Sequence, residues 1–123
     1  MATLLLSIPV KPGQTDAARA FTREFSDARL EEFDASERRI GITAESWYLQ
    51  RTGDTDYLTV YLEGPDLNAS ITAFSASRDP FDLWFKERVL DLTGVDISGE
   101  IAPEAIAETL SDYRVGVTVA AKR

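Results

Sequence analysis

The chain has 123 residues, 44% of them hydrophobic, which suffices for one buried core and is too little for two. It contains no cysteine and no histidine. That removes disulfides, the usual zinc and copper sites, the commonest haem ligands, and Ser-His-Asp or Cys-His catalysis. The net charge of −8 is spread along the chain, and without a basic patch nucleic acid is a poor partner.

No apolar run approaches the ~20 residues that span a bilayer. The start, MATLLLSIPVKPG, has no basic leader and no small-residue cleavage site, so it reads as a strand rather than a signal peptide. The expectation is one cytoplasmic domain over residues 1–115 with a tail at 116–123, no cofactor, no metal and no membrane contact. Glycine-rich phosphate loops and nucleophile elbows are missing, so any chemistry falls to Asp, Glu, Lys, Arg, Tyr, Ser or Thr.

Residues 3–10 predict a first strand, ended by Pro9 and the Lys11-Pro12-Gly13 turn. Thr15 or Asp16 is then expected to cap a long helix. Its apolar stripe runs Ala18, Phe21, Phe25, Ala28, Leu30, Phe33, Ile40, and drifts near Asp27–Arg29, where a bend is expected. Arg38 and Arg39 suit the last turn, and Gly41 is a good stop.

Two alternating runs follow, folded about Gly53-Asp54. A two-residue loop beginning with glycine is a hairpin signal, because that position takes positive φ. The implied register pairs Gln50 with Tyr57, Tyr48 with Thr59 and Ser46 with Tyr61. One face then carries Glu45, Trp47, Leu49, Leu58, Val60 and Leu62 for helices to cover. The other carries Tyr48, Tyr57, Thr59 and Tyr61.

After the hairpin, Leu67, Ile71 and Phe74 mark a short helix that breaks at Ser77-Arg78. Asp79 as cap and Pro80 at the first helical position open another helix, with Phe81, Trp84, Phe85, Val89 and Leu92, stopping at Gly94. Residues 95–103 read as loop. Residues 104–115 are open between a helical turn and a final strand, and a strand near Thr109–Val115 is favoured because it would fill a sheet edge.

The order β-α-β-β-α-α-β describes a ferredoxin-like α+β sandwich with helices on one face of an antiparallel sheet. The uncovered tyrosine face, Tyr48, Tyr57, Thr59 and Tyr61, is then expected to bury itself against a second copy, making a homodimer. The chain resembles the dimeric α/β-barrel superfamily, which includes antibiotic-biosynthesis-type monooxygenases and stress-responsive A/B-barrel proteins. Among these it looks like one of the uncharacterised small bacterial families. The resemblance rests on Arg38-Arg39-Ile40-Gly41-Ile42, Glu45-Ser46-Trp47, Val60-Tyr61-Leu62-Glu63-Gly64, Asp79 through Phe85, and Thr93-Gly94-Val95-Asp96. It implies a dimer with sheets packed face to face, and no established activity. Histidines that serve catalysis or haem binding in some superfamily members have no counterpart here.

Glu45 is the leading candidate for a catalytic acid or base, since the register puts it on the apolar face two residues from Trp47. The plainer reading is a rim carboxylate paired with Arg38, Arg39 or Arg78. Trp47, Phe81, Trp84 and Phe85 could line a ligand pocket with Glu45, with Arg78 at its mouth, or could be simple core and surface. Glu31, Glu32, Asp34 and Glu37 read as helical surface charge, and Lys86 as solvated. These features favour a protein that binds an apolar or aromatic small molecule between sheet and helices. The rivals are a cofactor-free monooxygenase or isomerase and a ligand-free dimerisation module.

Overall fold

The computed structural model describes residues 2–116. Strand β1 (Ala2–Pro9) leads to helix α1 (Thr15–Arg23), which passes through a π-helical turn (Glu24–Ala28) into helix α2 (Leu30–Ile40). The hairpin is β2 (Ala44–Arg51) and β3 (Asp56–Gly64), followed by α3 (Leu67–Ala76) and α4 (Pro80–Thr93). The sheet is antiparallel in the order β1-β3-β2, so the two edge strands run parallel and the α1–α2 segment crosses between them. This is the α+β ferredoxin-like class that the element order predicts. Among the described residues no helix is long and apolar enough to cross a membrane.

The hairpin register is the expected one: Gln50 opposes Tyr57, Tyr48 opposes Thr59, and Ser46 opposes Tyr61. Gly53 takes φ 101°, a conformation that a Cβ would penalise. On the helix side, β1 contributes Leu4, Leu6 and Ile8 opposite Leu62, Val60 and Leu58. Leu6, Ile8, Leu58, Val60 and Leu62 are all buried. Phe85 stands at the centre of the core, with the rings of Phe21, Phe25, Trp47 and Phe74 within 5.8 Å of its own.

The helical punctuation follows the sequence with one exception. Asp79 Oδ1 accepts the Phe81 amide at 3.0 Å, Pro80 opens α4, and Gly41 and Gly94 close α2 and α4 with positive φ. Neither Thr15 nor Asp16 caps α1. Thr15 Oγ1 instead donates to Asp56 Oδ2 at 2.6 Å, tying the helix start to the hairpin. The expected bend is the π-helical turn, where the Arg29 amide reaches back to the Glu24 carbonyl at 2.8 Å. The extra residue rotates the stripe, leaving Ala28 and Leu30 exposed while Phe33 returns to the core.

The expected strand at Thr109–Val115 does not form. A single bridge joins Leu6 to Ile106, and the Ala107 amide donates to the Leu5 carbonyl at 2.8 Å. Beyond it the chain is irregular, and Leu110, Tyr113 and Val115 are more than three-quarters exposed. Each alternating face of that segment is mixed, since Thr109 and Ser111 share one with Tyr113 and Val115, and Asp112 and Arg114 share the other with Leu110. Pairing would therefore bury little to offset ordering the backbone. Of the tail set apart at 116–123, only Gly116 lies within the described residues.

Candidate functional site: an acid pair at the throat of an apolar cavity

Between the sheet and helices α2 to α4 lies a cavity of about 90 Å³. Leu6, Val60 and Leu62 form its sheet side, and Phe33, Phe81 and Phe85 its helix side. Ile97 and Ile101, from the loop after α4, also line it. Phe81, Phe85 and Val89 face it because four-residue steps stay on one side of a helix.

Glu37 of α2 and Glu45 of β2 line both this cavity and an open groove of about 640 Å³ on the outer surface. Phe33 and Ile42 share that double position, so the two acids stand at the boundary between groove and cavity. The carboxyl groups hydrogen-bond to each other. Trp47 Nε1 donates to Glu45 Oε2 at 2.6 Å. Glu45 thus accepts from both sides, and Glu37 supplies the shared proton.

Burial drives the electrostatics. It raises the Glu37 carboxyl to about 10, reinforced by the nearby negative charge of Glu45, Asp82 and Asp34. Glu45 is also raised by burial, against the hydrogen bonds from Trp47 and Glu37 that favour its charged form. Two carboxyls this close hold a proton at neutral pH because both cannot ionise cheaply. The pair can accept a hydrogen bond, or give up or take a proton.

A second polar assembly holds the helices that frame the cavity. Asp82 is fully buried and accepts Ser36 Oγ at 2.6 Å, Ser77 Oγ at 2.5 Å and Arg39 Nη2 at 2.8 Å. One turn on, Lys86 is buried as well. Its Nζ donates to the carbonyls of Phe74, Ser75 and Ser77 at 2.9, 3.0 and 2.9 Å, capping the C-terminal end of α3. The expectation of a solvated Lys86 is therefore corrected, since its four-carbon stem crosses apolar packing to reach those carbonyls.

Of the residues expected at a pocket, Glu45, Trp47, Phe81 and Phe85 line the cavity. Trp84 and Arg78 do not. Trp84 precedes Phe85 by one residue and is turned about 100° around α4, toward α1. There the Arg29 guanidinium lies 4.2 Å from its ring and Phe21 packs at 5.4 Å. Arg78 is exposed on the connection between α3 and α4. Glu45 pairs with none of Arg38, Arg39 or Arg78. Arg38 bonds Asp34 at 2.8 Å, and Arg39 bonds Asp82. Glu37, expected as helical surface charge, joins Glu45 at the cavity instead. Its signal was its spacing, four residues after Phe33 and three before Ile40, on the apolar side of α2. Among the described residues no group of three or more acidic, histidine or cysteine side chains could hold a metal ion.

An antiparallel sheet covered on one face by helices that enclose an acid-bearing cavity defines a ferredoxin-like α+β protein. The chain belongs to a family of unknown function, DUF6176, whose sequence model matches residues 1–108. No curated protein matches it in sequence. Its fold is similar to that of the tetracenomycin F2 cyclase of Streptomyces glaucescens, a type-II polyketide cyclase, with a TM-score of 0.52 at 20% identity. The match covers 93% of this chain and 98% of that one, and it is a likeness of fold.

Proposed function

We propose that this protein binds a small, largely apolar molecule in the cavity between sheet and helices, with the Glu37–Glu45 pair holding its polar group. The observation that carries this is the convergence of two carboxyls on the boundary of an otherwise apolar cavity. The similar fold of a type-II polyketide cyclase supports a scaffold of this kind taking a small molecule. Trp47 lines the cavity while Trp84 stands outside it, so a Trp84→Phe variant isolates a fluorescent reporter of occupancy. Small aromatic compounds should shift or quench Trp47 emission in that variant, saturably. A panel that leaves the emission unchanged overturns the reading.

A cofactor-free enzyme is the second reading, and the proton held by the acid pair favours it. Glu45, or the pair acting together, would move a proton on a substrate that supplies its own reactivity. Turnover of an electron-rich phenol without added cofactor decides for it.

The same proposal takes the protein as a homodimer through the sheet face opposite the helices. Its support is the exposure of Tyr48 and Leu5 on that face, beside Tyr57, Thr59 and Tyr61. Wild-type protein should sediment as a dimer at tens of micromolar, and Tyr61→Lys should shift it toward monomer by placing a charge in the contact. A monomeric wild type removes the dimer from the proposal.

A further inference from the structure

The polar groups of the cavity narrow the class of ligand. Besides the two acids, its polar side chains are Ser36, Ser70, Ser75 and Trp47. Each of these spends its proton inside the protein. Ser36 donates to Asp82, Ser70 to the Asp66 carbonyl at 3.1 Å, Ser75 to the Ile97 carbonyl at 3.2 Å, and Trp47 to Glu45. The proton on Glu37 is turned to Glu45. What the side chains leave for a guest is therefore acceptors, and a guest that could only accept would find no side-chain partner.

Charge points the same way. The cations nearest the acids are engaged elsewhere. Arg38 lies along the outer groove with Asp34, Arg39 bonds Asp82, and Lys86 caps α3. β1 and α3 bring no ionisable side chain to the site. The hydrogen-bonded pair shares its cavity with Phe33, Trp47, Phe81 and Phe85, and among the described residues no unengaged cation lines the cavity or the groove. An ammonium group attached to an apolar body fits this lining: it donates to the carboxyls, supplies the positive charge that the site lacks, and lies beside aromatic rings.

We propose that the ligand of this cavity is a hydrophobic primary amine, bound as its ammonium ion by Glu45 and Glu37 with its apolar part among the aromatic rings. This rests on the cavity being a binding site at all, and one experiment separates the two claims. Titration calorimetry at neutral pH compares benzylamine with benzyl alcohol, which has nearly the same shape and no charge. Benzylamine should bind roughly tenfold or more tightly, the difference a charge-assisted hydrogen bond contributes. Glu45→Gln should bring the ratio of the two affinities close to one, because an amide oxygen accepts from either guest but carries no charge for the ammonium. Glu37→Gln, which keeps a donor to Glu45, should retain the preference, so a misfolded single variant does not decide the matter. Equal binding of the two compounds overturns the amine and leaves the cavity standing as a site. Binding of neither overturns both.

Discussion

Replacing Asp82 by alanine should destabilise the fold by about 2–3 kcal/mol, the upper range for leaving a buried hydrogen-bonding group unpaired. Its carboxylate is the acceptor common to Ser36 of α2, Ser77 after α3 and Arg39 at the end of α2. Removing it leaves the buried Ser36 hydroxyl without its acceptor and the guanidinium of Arg39 without its closer carboxylate, Asp79 being 3.6 Å away. Asp82→Asn should cost less, because an amide oxygen still accepts from a hydroxyl. Burial alone would raise the Asp82 carboxyl, but the hydrogen bonds from Ser36, Ser77 and Arg39 outweigh it and hold it below 3.8. A depressed carboxyl contributes stability above its ordinary value and loses it as pH falls through the folded one. Chemical denaturation followed by circular dichroism reads both effects. A loss under ~1 kcal/mol for the alanine variant would show that this assembly does not hold the helices together.

The acid pair should give the opposite slope, over a wider range. Glu37 is raised from 4.5 to about 10, so the folded state keeps a proton that the unfolded chain releases. The stability from this group is therefore complete below about pH 4.5 and is lost as pH rises toward about 10, by at most ~1.4 kcal/mol per pH unit. Glu45, raised in the same sense, adds to it. Glu37→Gln removes the titration while its amide still donates to Glu45. That variant should flatten the profile and exceed the wild type in stability at about pH 8 by roughly 2–4 kcal/mol, partial solvation trimming the full value. Unfolding free energies measured from mildly acidic to alkaline pH check this directly. A wild type whose stability rises or stays level across that range would mean that the two carboxyls do not share a buried proton. Combined with Asp82 failing at the acid end, the expected maximum lies at mildly acidic pH.

Local chemistry made most of the scaffold legible. Gly53-Asp54 sets a register that fixes which face each hairpin residue occupies, and period-two alternation leaves no second choice. Asp79-Pro80, Gly41 and Gly94 punctuate the helices through backbone requirements that hold whatever the partners. These are interactions across a few residues, and the sequence records them. Glu45's place on the apolar face was likewise determined by the register.

What lay beyond reach depended on contacts between distant segments. Glu37 and Glu45 come together because α2 crosses back over β2. Spacing put Glu37 on the buried side of its helix, but only the packing supplies the second carboxyl. Lys86 reads as a solvated charge until α3 brings it carbonyl oxygens, and Asp82 gains its hydroxyls and guanidinium only when α2 and the residues after α3 pack against α4. Trp84 left the cavity because one residue of helical rotation separates it from Phe85, and which side met the sheet was settled by packing against α1. The sequence by itself determined the elements, their ends and the two faces of the hairpin, since each follows from short-range sterics and alternation. The tertiary structure alone decided which charges are buried, because desolvation and pairing depend on what the rest of the chain places beside them.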